Sequence, residues 1–415
     1  MLGCSLVLGL VVPLHGAQAA KETVLYSWTW GTDGSQPEAG LIRDKAGNLF
    51  GTTVVGGGTV FKLAPDGTER VLHAFIGGSD GAFPRAGLIR DSAGNLYGTT
   101  FYGGTICSGG GCGTVFELSP PAKGETAWTE KVIHYFKGGS IINRQADGSG
   151  PMAGLMMDSA GNLYGTTSAG GEVGGYGTVF KLAPPASGKT RWTETLLHTF
   201  KGYPSDGGVP QAGLIMDKAG NLYGTTTAGG PSPGLGTVFV LSPPPIGKTQ
   251  WTEGWVHTFK GYGTDGAGPL AGLIMVGDML YGTTFSGGPG CNNTCGTVFE
   301  VSRKTGAYSV LHFFTGGSDG EHPAGGLINV KGTLYGTTYS GGTGSCTNSG
   351  VNGCGTVFSI NLATNVEKIL YSFQQSVTDG QDPDAGLTKD SEGNLYGTTI
   401  LGGQGGGGTV FKLTP

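Results

Sequence analysis

Charged residues are scarce in this sequence and they are not clustered. Only 13% of the 415 residues are Asp, Glu, Lys or Arg, and the formal net charge is −5. Proteins that bind nucleic acid use clustered Lys and Arg side chains to neutralise phosphates, and the sequence has no such cluster. We therefore expect no nucleic-acid partner.

Long apolar runs and helical periodicity are missing as well. One apolar stretch, residues 6–14, is shorter than the ~20 residues that a transmembrane helix needs, and there is no second candidate. No long segment repeats apolar residues with a period of 3.6, so we expect essentially no helix. The HExxH, phosphate-loop and CxxC signatures are absent too, so no motif of this kind indicates catalysis.

The N-terminus has features of a secretory signal peptide. The apolar stretch is followed by Ala-Gln-Ala at residues 17–19, which suits signal peptidase, although no Lys or Arg precedes Lys21. We expect residues 1–20 to be a signal peptide and residues 21–415 to form one domain. The mature protein is then expected to be extracellular or periplasmic, monomeric, and without a transmembrane segment.

Glycine is abundant, and the sequence around it repeats. The chain has 85 glycines, about a fifth of all residues, against a usual ~7%. Apolar residues recur in short regular runs, which argues against disorder, and glycine has no period of three, which excludes collagen. An aromatic-Gly-Thr-Thr step recurs seven times. Its glycines are Gly51, Gly98, Gly165, Gly224, Gly282, Gly336 and Gly397.

Each repeat contains four short apolar segments in a fixed order. In the second repeat they are AGLI at residues 86–89, NLYGTT at 95–100, GTVFEL at 113–118 and WTEKVIHYF at 128–136. Such segments, rich in β-branched and aromatic residues and bounded by Gly, Pro, Asn or Asp, are typical of β-strands. Seven units of four antiparallel strands predict an all-β fold, a seven-bladed β-propeller.

The two ends of the chain complete one blade. Residues 22–28, ETVLYSW, resemble a fourth segment without the first three, and the C-terminus supplies three segments without the fourth. We predict that residues 24–28 pair with residues 409–413. This pairing closes the ring and leaves no open sheet edge.

The repeat unit DGxxPxAGLIxDxxGNLYGTTxxGG…GTVFxL resembles the Gloeo/Verruco (GloVer) tandem repeat of bacterial exported proteins, over nearly the whole mature chain. The resemblance implies an exported, propeller-like repeat protein. It brings no established reaction, so no catalytic residues are carried over.

Two residue types recur once per repeat. An Asp-Gly step precedes each first strand, at Asp33, Asp80, Asp147, Asp206, Asp265, Asp319 and Asp379. A His or Tyr occupies one position of each fourth strand, at Tyr26, His73, His134, His198, His257, His312 and Tyr371. We interpret both as structural, with the carboxylates accepting backbone N–H groups. A calcium ion held by the Asp ring is the alternative, and otherwise no cofactor is expected.

Six cysteines of the mature chain form three close pairs. They are Cys107 and Cys112, Cys291 and Cys295, and Cys346 and Cys354. Each pair lies between a second and a third strand, so we predict three local disulfides in an oxidising compartment. A zinc site is not expected, because no loop supplies four ligands.

The candidate binding site lies where the repeats differ. On the face that carries the cysteine loops, blades six, seven, one and two contribute polar residues beside the channel mouth, while blades three to five contribute mostly small or apolar ones. The candidate ligand-binding residues are Glu38, Arg85, His322, Asp382 and Asp384. The alternative is that these exposed loop positions acquired charge by chance.

Three hypotheses for function follow. The first is a non-catalytic binding or scaffold protein that recognises a glycan or an extracellular protein through the loop face. The second is a polysaccharide hydrolase or lyase that uses the acidic residues as acid and base. The third is a purely structural surface protein. Trp128, Trp192 and Trp251, on the opposite face, are interpreted as packing residues, with sugar stacking as the alternative.

Overall fold

A computed structural model shows how the repeats are arranged. It describes residues 20–104, 107, 110–139, 146–171, 174–231, 234–261, 263–292, 294–348 and 351–415. The predicted signal peptide, apart from residue 20, lies outside the described residues.

The chain folds into a seven-bladed β-propeller in which each blade is a four-stranded antiparallel sheet. The innermost strands are Ile42–Arg43, Ile89–Arg90, Met156–Met157, Ile215–Met216, Ile274–Val276, Ile328–Val330 and Thr388–Lys389. The second strands are Leu49–Thr53, Leu96–Thr100, Leu163–Thr167, Leu222–Thr226, Met279–Thr284, Thr333–Thr338 and Leu395–Thr399. The third strands are Thr59–Leu63, Thr114–Ser119, Thr178–Ala183, Thr237–Ser242, Thr297–Ser302, Thr356–Asn361 and Thr409–Thr414. The outer strands are Glu69–Ala74, Thr129–Tyr135, Thr193–Thr199, Thr252–Thr258, Tyr308–Phe313, Val366–Ser372 and Lys21–Ser27.

Other regular structure is short. Three two-stranded pairs join Gly207–Gly208 to Ala228–Gly229, Thr347–Asn348 to Val351–Asn352, and Gly380–Gln381 to Leu401–Gly402. Single 3₁₀ turns are found at Val55–Gly57, Gly78–Asp80 and Gly317–Asp319. The described ranges contain no α-helix, as the lack of helical periodicity predicted.

The predicted closure of the ring is confirmed. The N-terminal strand pairs antiparallel with the last strand of the chain, with Val24 opposite Phe411 and Ser27 opposite Thr409. A register shift between Val24 and Tyr26 matches the bulge found at the same place in other blades. The seventh blade is therefore assembled from both ends of the chain.

Aromatic side chains fill the space between neighbouring blades. The Phe of each GTVF segment is fully buried, and it meets the aromatic residue that follows the outer strand of the preceding blade. Phe136 and Phe180, for example, contact edge to face with ring centroids 5.1 Å apart. Trp28 takes this role at the closure, 5.0 Å from Phe61. The hydrophobic core is therefore a ring of seven similar clusters.

Glycine is required around the central axis, where neighbouring backbones approach closely. A Cβ on the Gly of each AGL segment would contact the carbonyl oxygen of the matching Gly in the preceding blade. At Gly386 that distance, to Gly326, would be 2.9 Å, and at Gly40, to Gly386, it would be 3.1 Å. Backbone atoms therefore line the central axis. The side chains around the mouth of the central channel come from the crossover residues that precede these glycines.

In six of the seven blades, a threonine hydroxyl of the second strand donates a hydrogen bond to the next blade. Thr166 Oγ1 donates to the Ala212 carbonyl over 3.1 Å, and five other boundaries repeat this bond. The exception is Thr283, whose hydroxyl is buried without a partner among the described residues. Gly325 stands where the other blades have Ala.

Candidate functional site

The loop face is built from crossovers that share one unusual backbone conformation. The residue before each crossover proline has φ between 54° and 60°, at Gln36, Phe83, Gly150, Val209, Gly268, His322 and Asp382. The Phe83 N–H donates to Gly57 of the preceding blade, and its carbonyl accepts the N–H of Phe101 in its own blade. The same two bonds recur at all seven positions. The residue thus links blades through its backbone, and its side chain is free to vary.

An ion pair between two crossover residues is the centre of the candidate site. Arg85 Nη1 donates to Glu38 Oε2 over 2.9 Å, linking blades one and two. The Glu38 side chain is 18% exposed and that of Arg85 is 36% exposed, so the pair is partly shielded from water. Burial raises the pKa of Glu38, and the guanidinium of Arg85 opposes that rise.

Asp384 of blade seven joins this pair. Burial raises the pKa of Asp384 to about 7; the nearby Glu38 and Asp382 add to the rise and Arg85 opposes it. Asp382 is almost fully buried, at 1% exposure. The structure therefore places four of the five predicted site residues, Glu38, Arg85, Asp382 and Asp384, in one electrostatically coupled cluster.

Tyr339 of blade six also belongs to this cluster, and the sequence pattern did not indicate it. Burial raises the pKa of Tyr339, and the carboxylates of Asp382, Asp384 and Glu38 raise it further. Tyr339 follows the repeated Gly-Thr-Thr step directly, where the other blades have varied residues. That variation at a fixed position is the signal that could have identified it.

His322 is held by other neighbours. Its Nδ1 lies 2.9 Å from Ser340 Oγ, and its ring stacks on Phe285 with centroids 4.6 Å apart. Burial lowers the pKa of His322, which favours the neutral imidazole. These contacts anchor His322 within blades five and six, one step along the ring from the carboxylates.

An aromatic patch adjoins the polar cluster in blade two. The guanidinium of Arg85 lies 5.5 Å from the ring centroid of Phe101. Phe101 meets Tyr102 edge to face, with centroids 4.6 Å apart, and Phe83 meets Tyr102 at 5.7 Å. Tyr102 is 42% exposed. We call Glu38, Arg85, Asp384, Tyr339 and Phe101 the loop-face patch.

The repeated Asp residues accept backbone N–H groups, as predicted. Asp80 Oδ2 accepts the N–H of Ile76 and Asp319 Oδ2 accepts that of Thr315. Each Asp also has a side-chain partner that was not predicted, the His or Tyr of the preceding outer strand. His73 Nε2, for example, lies 3.0 Å from Asp80 Oδ1.

The three local disulfides are present. The Cα atoms are 5.6 Å apart in Cys107–Cys112, 5.4 Å apart in Cys291–Cys295 and 5.1 Å apart in Cys346–Cys354. Each bridge closes a loop between a second and a third strand, on the same face as the loop-face patch. The bridges therefore stiffen the loops around the channel mouth.

The three tryptophans of the long outer hairpins pack against the preceding blade. Trp192 meets Tyr97 with centroids 6.0 Å apart, and Trp128 meets Phe50 at 6.4 Å. Trp251 and Trp192 also line two clefts of about 810 and 740 Å³ at the blade boundaries. These clefts lie apart from the loop-face patch and share none of its residues.

Three stretches match the G-x-S-x-G pattern of serine hydrolases, at residues 77–81, 230–234 and 316–320, and Ser232 of the second lies outside the described residues. The stretches at 77–81 and 316–320 lie in single 3₁₀ turns, with Ser79 and Ser318 exposed. The hydrolase pattern needs a sharp turn between a strand and a helix that presents the serine to an oxyanion hole. The pattern here is therefore part of the crossover and not a nucleophile site.

The described residues include no helix that could serve as a membrane span.

The chain belongs to the Gloeobacter/Verrucomicrobia repeat family, whose pattern matches residues 7–230, 108–348 and 189–411. This confirms the resemblance seen in the repeat unit. No curated protein matches the chain.

Several solved structures share the fold. The chain is similar to an ancestral GH74 enzyme at 12% identity, with a TM-score of 0.57 over 92% of this chain and 48% of that one. It is similar to the extracellular domain of a one-component system from B. thetaiotaomicron at 14% identity, with a TM-score of 0.53 over 93% and 41%. It is similar to oligogalacturonate lyase from Vibrio parahaemolyticus at 10% identity, with a TM-score of 0.52 over 96% and 94%. This chain spans less than half the length of the first two proteins, and at these identities the likeness shows the fold alone.

Proposed function

We propose that the loop-face patch binds a neutral oligosaccharide and that the protein is an exported, non-catalytic binding propeller. One observation carries the proposal: Arg85 joins a polar cluster to an aromatic surface. Its guanidinium donates to Glu38 on one side and lies over Phe101 on the other. Sugars present hydroxyl groups beside apolar C–H faces, so they match a site that offers both chemistries.

The protonation of the cluster supports hydroxyl recognition. A carboxylate only accepts hydrogen bonds, whereas a protonated carboxyl also donates one. Because the pKa of Asp384 is about 7, both forms are populated near neutral pH. Asp384 can then accept a hydrogen bond from a sugar hydroxyl or donate one to it, while Arg85 is a fixed donor.

The charge of the cluster favours a neutral ligand over an acidic one. The charges that act on Asp384 are two further carboxyl groups, Glu38 and Asp382, and one guanidinium, Arg85, so the cluster holds three carboxyl groups and one cation. An anionic sugar would add like charge to a partly shielded site, which raises the free energy of the complex. The three disulfides support a location in an oxidising compartment, where such a ligand would be met outside the cell.

The test is a glycan array with the purified mature protein, run with calcium and again with chelator. We expect binding to neutral oligosaccharides that is weakened in Glu38→Gln, in Asp384→Asn and in Phe101→Ala. Gln211→Ala is the matched control, because Gln211 occupies the position equivalent to Glu38 in blade four. Binding that the site variants leave unchanged would refute the proposal, as would the absence of any glycan ligand, which would favour a protein partner.

A second candidate is cleavage of the same ligand. It is favoured by one observation, the raised pKa of Asp384 beside Glu38, because two carboxyl groups with different protonation can serve as acid and base. GH74 enzymes and an oligogalacturonate lyase are among the proteins that share the fold. Release of reducing ends from a bound oligosaccharide, lost in both Asp384→Asn and Glu38→Gln, would establish this activity. Binding without release would leave the binding role.

A further inference from the structure

Each blade boundary holds a polar cluster on the outer side of the propeller. It consists of the His or Tyr of one outer strand, the Asp of the following crossover, and the facing residue of the next outer strand. We call this group a boundary cluster. At the boundary of blades one and two its members are His73, Asp80 and Glu130. At the boundary of blades five and six they are His312, Asp319 and Glu367.

The ligand atoms of these two clusters converge. His73 Nε2 lies 3.0 Å from Asp80 Oδ1, and His312 Nε2 lies 3.1 Å from Asp319 Oδ1. Within each cluster the nitrogen and the two carboxylate oxygens all lie within 4.8 Å of one another. One imidazole and two carboxylates, contributed by two neighbouring blades, therefore face a single point.

Each of the two clusters also contains a shielded carboxyl oxygen without a partner. The Oε1 atoms of Glu130 and Glu367 have no hydrogen-bond partner among the described residues, and the same is true of Oε1 in the equivalent Glu22, Glu69, Glu194 and Glu253 at other boundaries. A buried acceptor without a partner costs free energy, so native proteins satisfy such atoms with protein groups, water or ions.

The other boundaries show what sets these two apart. Where blades two and three meet, Lys137 lies 4.0 Å from Asp147, and where blades three and four meet, Lys201 stabilises the charge of Glu253. Each Lys follows the buried aromatic residue after the outer strand, and the same position holds Ile76 in the His73 cluster and Thr315 in the His312 cluster. The remaining boundaries have a Tyr in place of the His or of the Glu, at Tyr26, Tyr371 and Tyr308.

We propose that these two boundary clusters each bind one divalent transition-metal ion of the zinc class. Zinc takes imidazole nitrogen and carboxylate oxygen at about 2.0–2.2 Å. Two ligand atoms on one such ion are about 3 Å apart, which the His–Asp separations already match. Calcium prefers six or more oxygen ligands, so an imidazole in the set favours zinc over calcium.

The surroundings of the aspartates suit this role. Asp80 uses Oδ1 toward the His and Oδ2 to accept the backbone N–H of Ile76, and Asp319 is held in the same way by Thr315. A second hydrogen bond of this kind orients a metal ligand. An ion at each site would join blade one to blade two and blade five to blade six, and at two of the other boundaries Lys137 and Lys201 supply the positive charge.

The test is zinc binding to metal-stripped, full-length protein by equilibrium dialysis with elemental analysis. We expect two zinc ions per chain, one in Glu130→Gln and none in Glu130→Gln/Glu367→Gln. The wild-type protein should also resist urea better with zinc than with chelator, and the double variant should not. Fewer than two bound ions in the wild-type protein, or two ions retained in the double variant, would overturn the proposal.

Matched controls come from the other boundaries of the same chain. Ile76→Lys and Thr315→Lys introduce the ammonium group found beside Asp147 and Glu253 at two other boundaries. Together they should abolish zinc binding while the circular dichroism spectrum stays that of the wild type. Glu194→Gln alters a cluster that already contains Lys137, and it should leave two ions bound. If the Lys variants keep both ions, or if Glu194→Gln loses one, the assignment to these clusters is wrong.

Discussion

Replacing Thr166 with Val should destabilise the propeller, whereas the same replacement at Thr283 should not. Both residues occupy the same position of the Gly-Thr-Thr step, and both are fully or almost fully buried. Thr166 Oγ1 donates to the carbonyl of Ala212 in the next blade over 3.1 Å. The Thr283 hydroxyl has no partner among the described residues.

The magnitude follows from these contacts. A buried neutral hydrogen bond contributes about 0.5–1.5 kcal/mol, and its loss deprives the Ala212 carbonyl of a donor, so Thr166→Val should cost about 1–2 kcal/mol. A buried hydroxyl without a partner costs about 1–3 kcal/mol, so Thr283→Val should be neutral or gain up to about 1 kcal/mol. The free energies of unfolding of the two variants should therefore differ by about 2 kcal/mol. Because both variants replace Thr with Val, the effect of the altered side-chain shape cancels in this difference.

The assay is urea denaturation of both variants and the wild type at one pH, followed by circular dichroism. If the free energy of unfolding falls with urea at the same slope in all three proteins and only the urea midpoints differ, stability alone has changed. Equal losses of stability in the two variants would show that the hydrogen bond at Thr166 contributes nothing. A larger loss in Thr283→Val would contradict the prediction as well.

Three further predictions concern the backbone and one buried carboxyl group. Gly113→Ala should destabilise the protein strongly, because the new Cβ would lie 2.5 Å from Pro151 Cδ at a φ of 96°. Gly56→Ala, where φ is 77° and the Cβ would meet open space, should cost only about 1–2 kcal/mol. Urea midpoints of the two variants test this, and equal losses of stability would contradict the clash at Gly113. Burial, with Asp379 nearby, raises the pKa of Glu22 to about 8, so the stabilising contribution of Glu22 is complete below about pH 4.5 and is lost as pH rises toward 8. In chelator, the urea midpoint of Glu22→Gln should therefore fall less between pH 5 and pH 9 than that of the wild type, and an equal fall would contradict this. Val209→Gly should leave stability unchanged or raise it by up to about 1 kcal/mol, because a β-branched residue at φ 55° is strained; a clear loss of thermal stability would contradict the strain.

The fold could be predicted from the sequence because its signals are local and repeated. Strand chemistry is present within each short segment, and the unpaired fourth segment at residues 22–28 could be matched to the incomplete C-terminal unit. The pairing of Val24 with Phe411 then depended only on the requirement that a ring closes. Small deviations such as the bulge after Val24 leave no comparable mark in the sequence.

The backbone role of the residue before each crossover proline could not be predicted. Seven positions with positive φ hold residues as different as Val209 and Asp382, because the N–H and carbonyl groups do the linking. Side-chain variation at these positions has two explanations. It is expected for a binding surface, and it is expected equally where only the backbone conformation is constrained, so the sequence could not distinguish them. His322 illustrates this, because it packs on Phe285 and Ser340.

The candidate site was partly predictable. Glu38, Arg85 and Asp384 could be grouped, because closure makes the first and last blades neighbours. Tyr339 and Phe101 were not found, because each lies in a loop whose approach to the cluster depends on blade geometry. The Glu130 partner of Asp80 was missed for the same reason, since strands in different blades have no register in the sequence.

The most direct test of the loop-face patch is calorimetric titration of neutral oligosaccharides on either side of the pKa of Asp384, at pH 5.5 and pH 8.5. The wild-type protein and Gln211→Ala should bind with an affinity that changes between the two pH values, because Asp384 changes from donor and acceptor to acceptor alone. Asp384→Asn should bind more weakly at the lower pH and show no change with pH. Equal affinities for all three proteins at both pH values would contradict the assignment of this patch as the binding site.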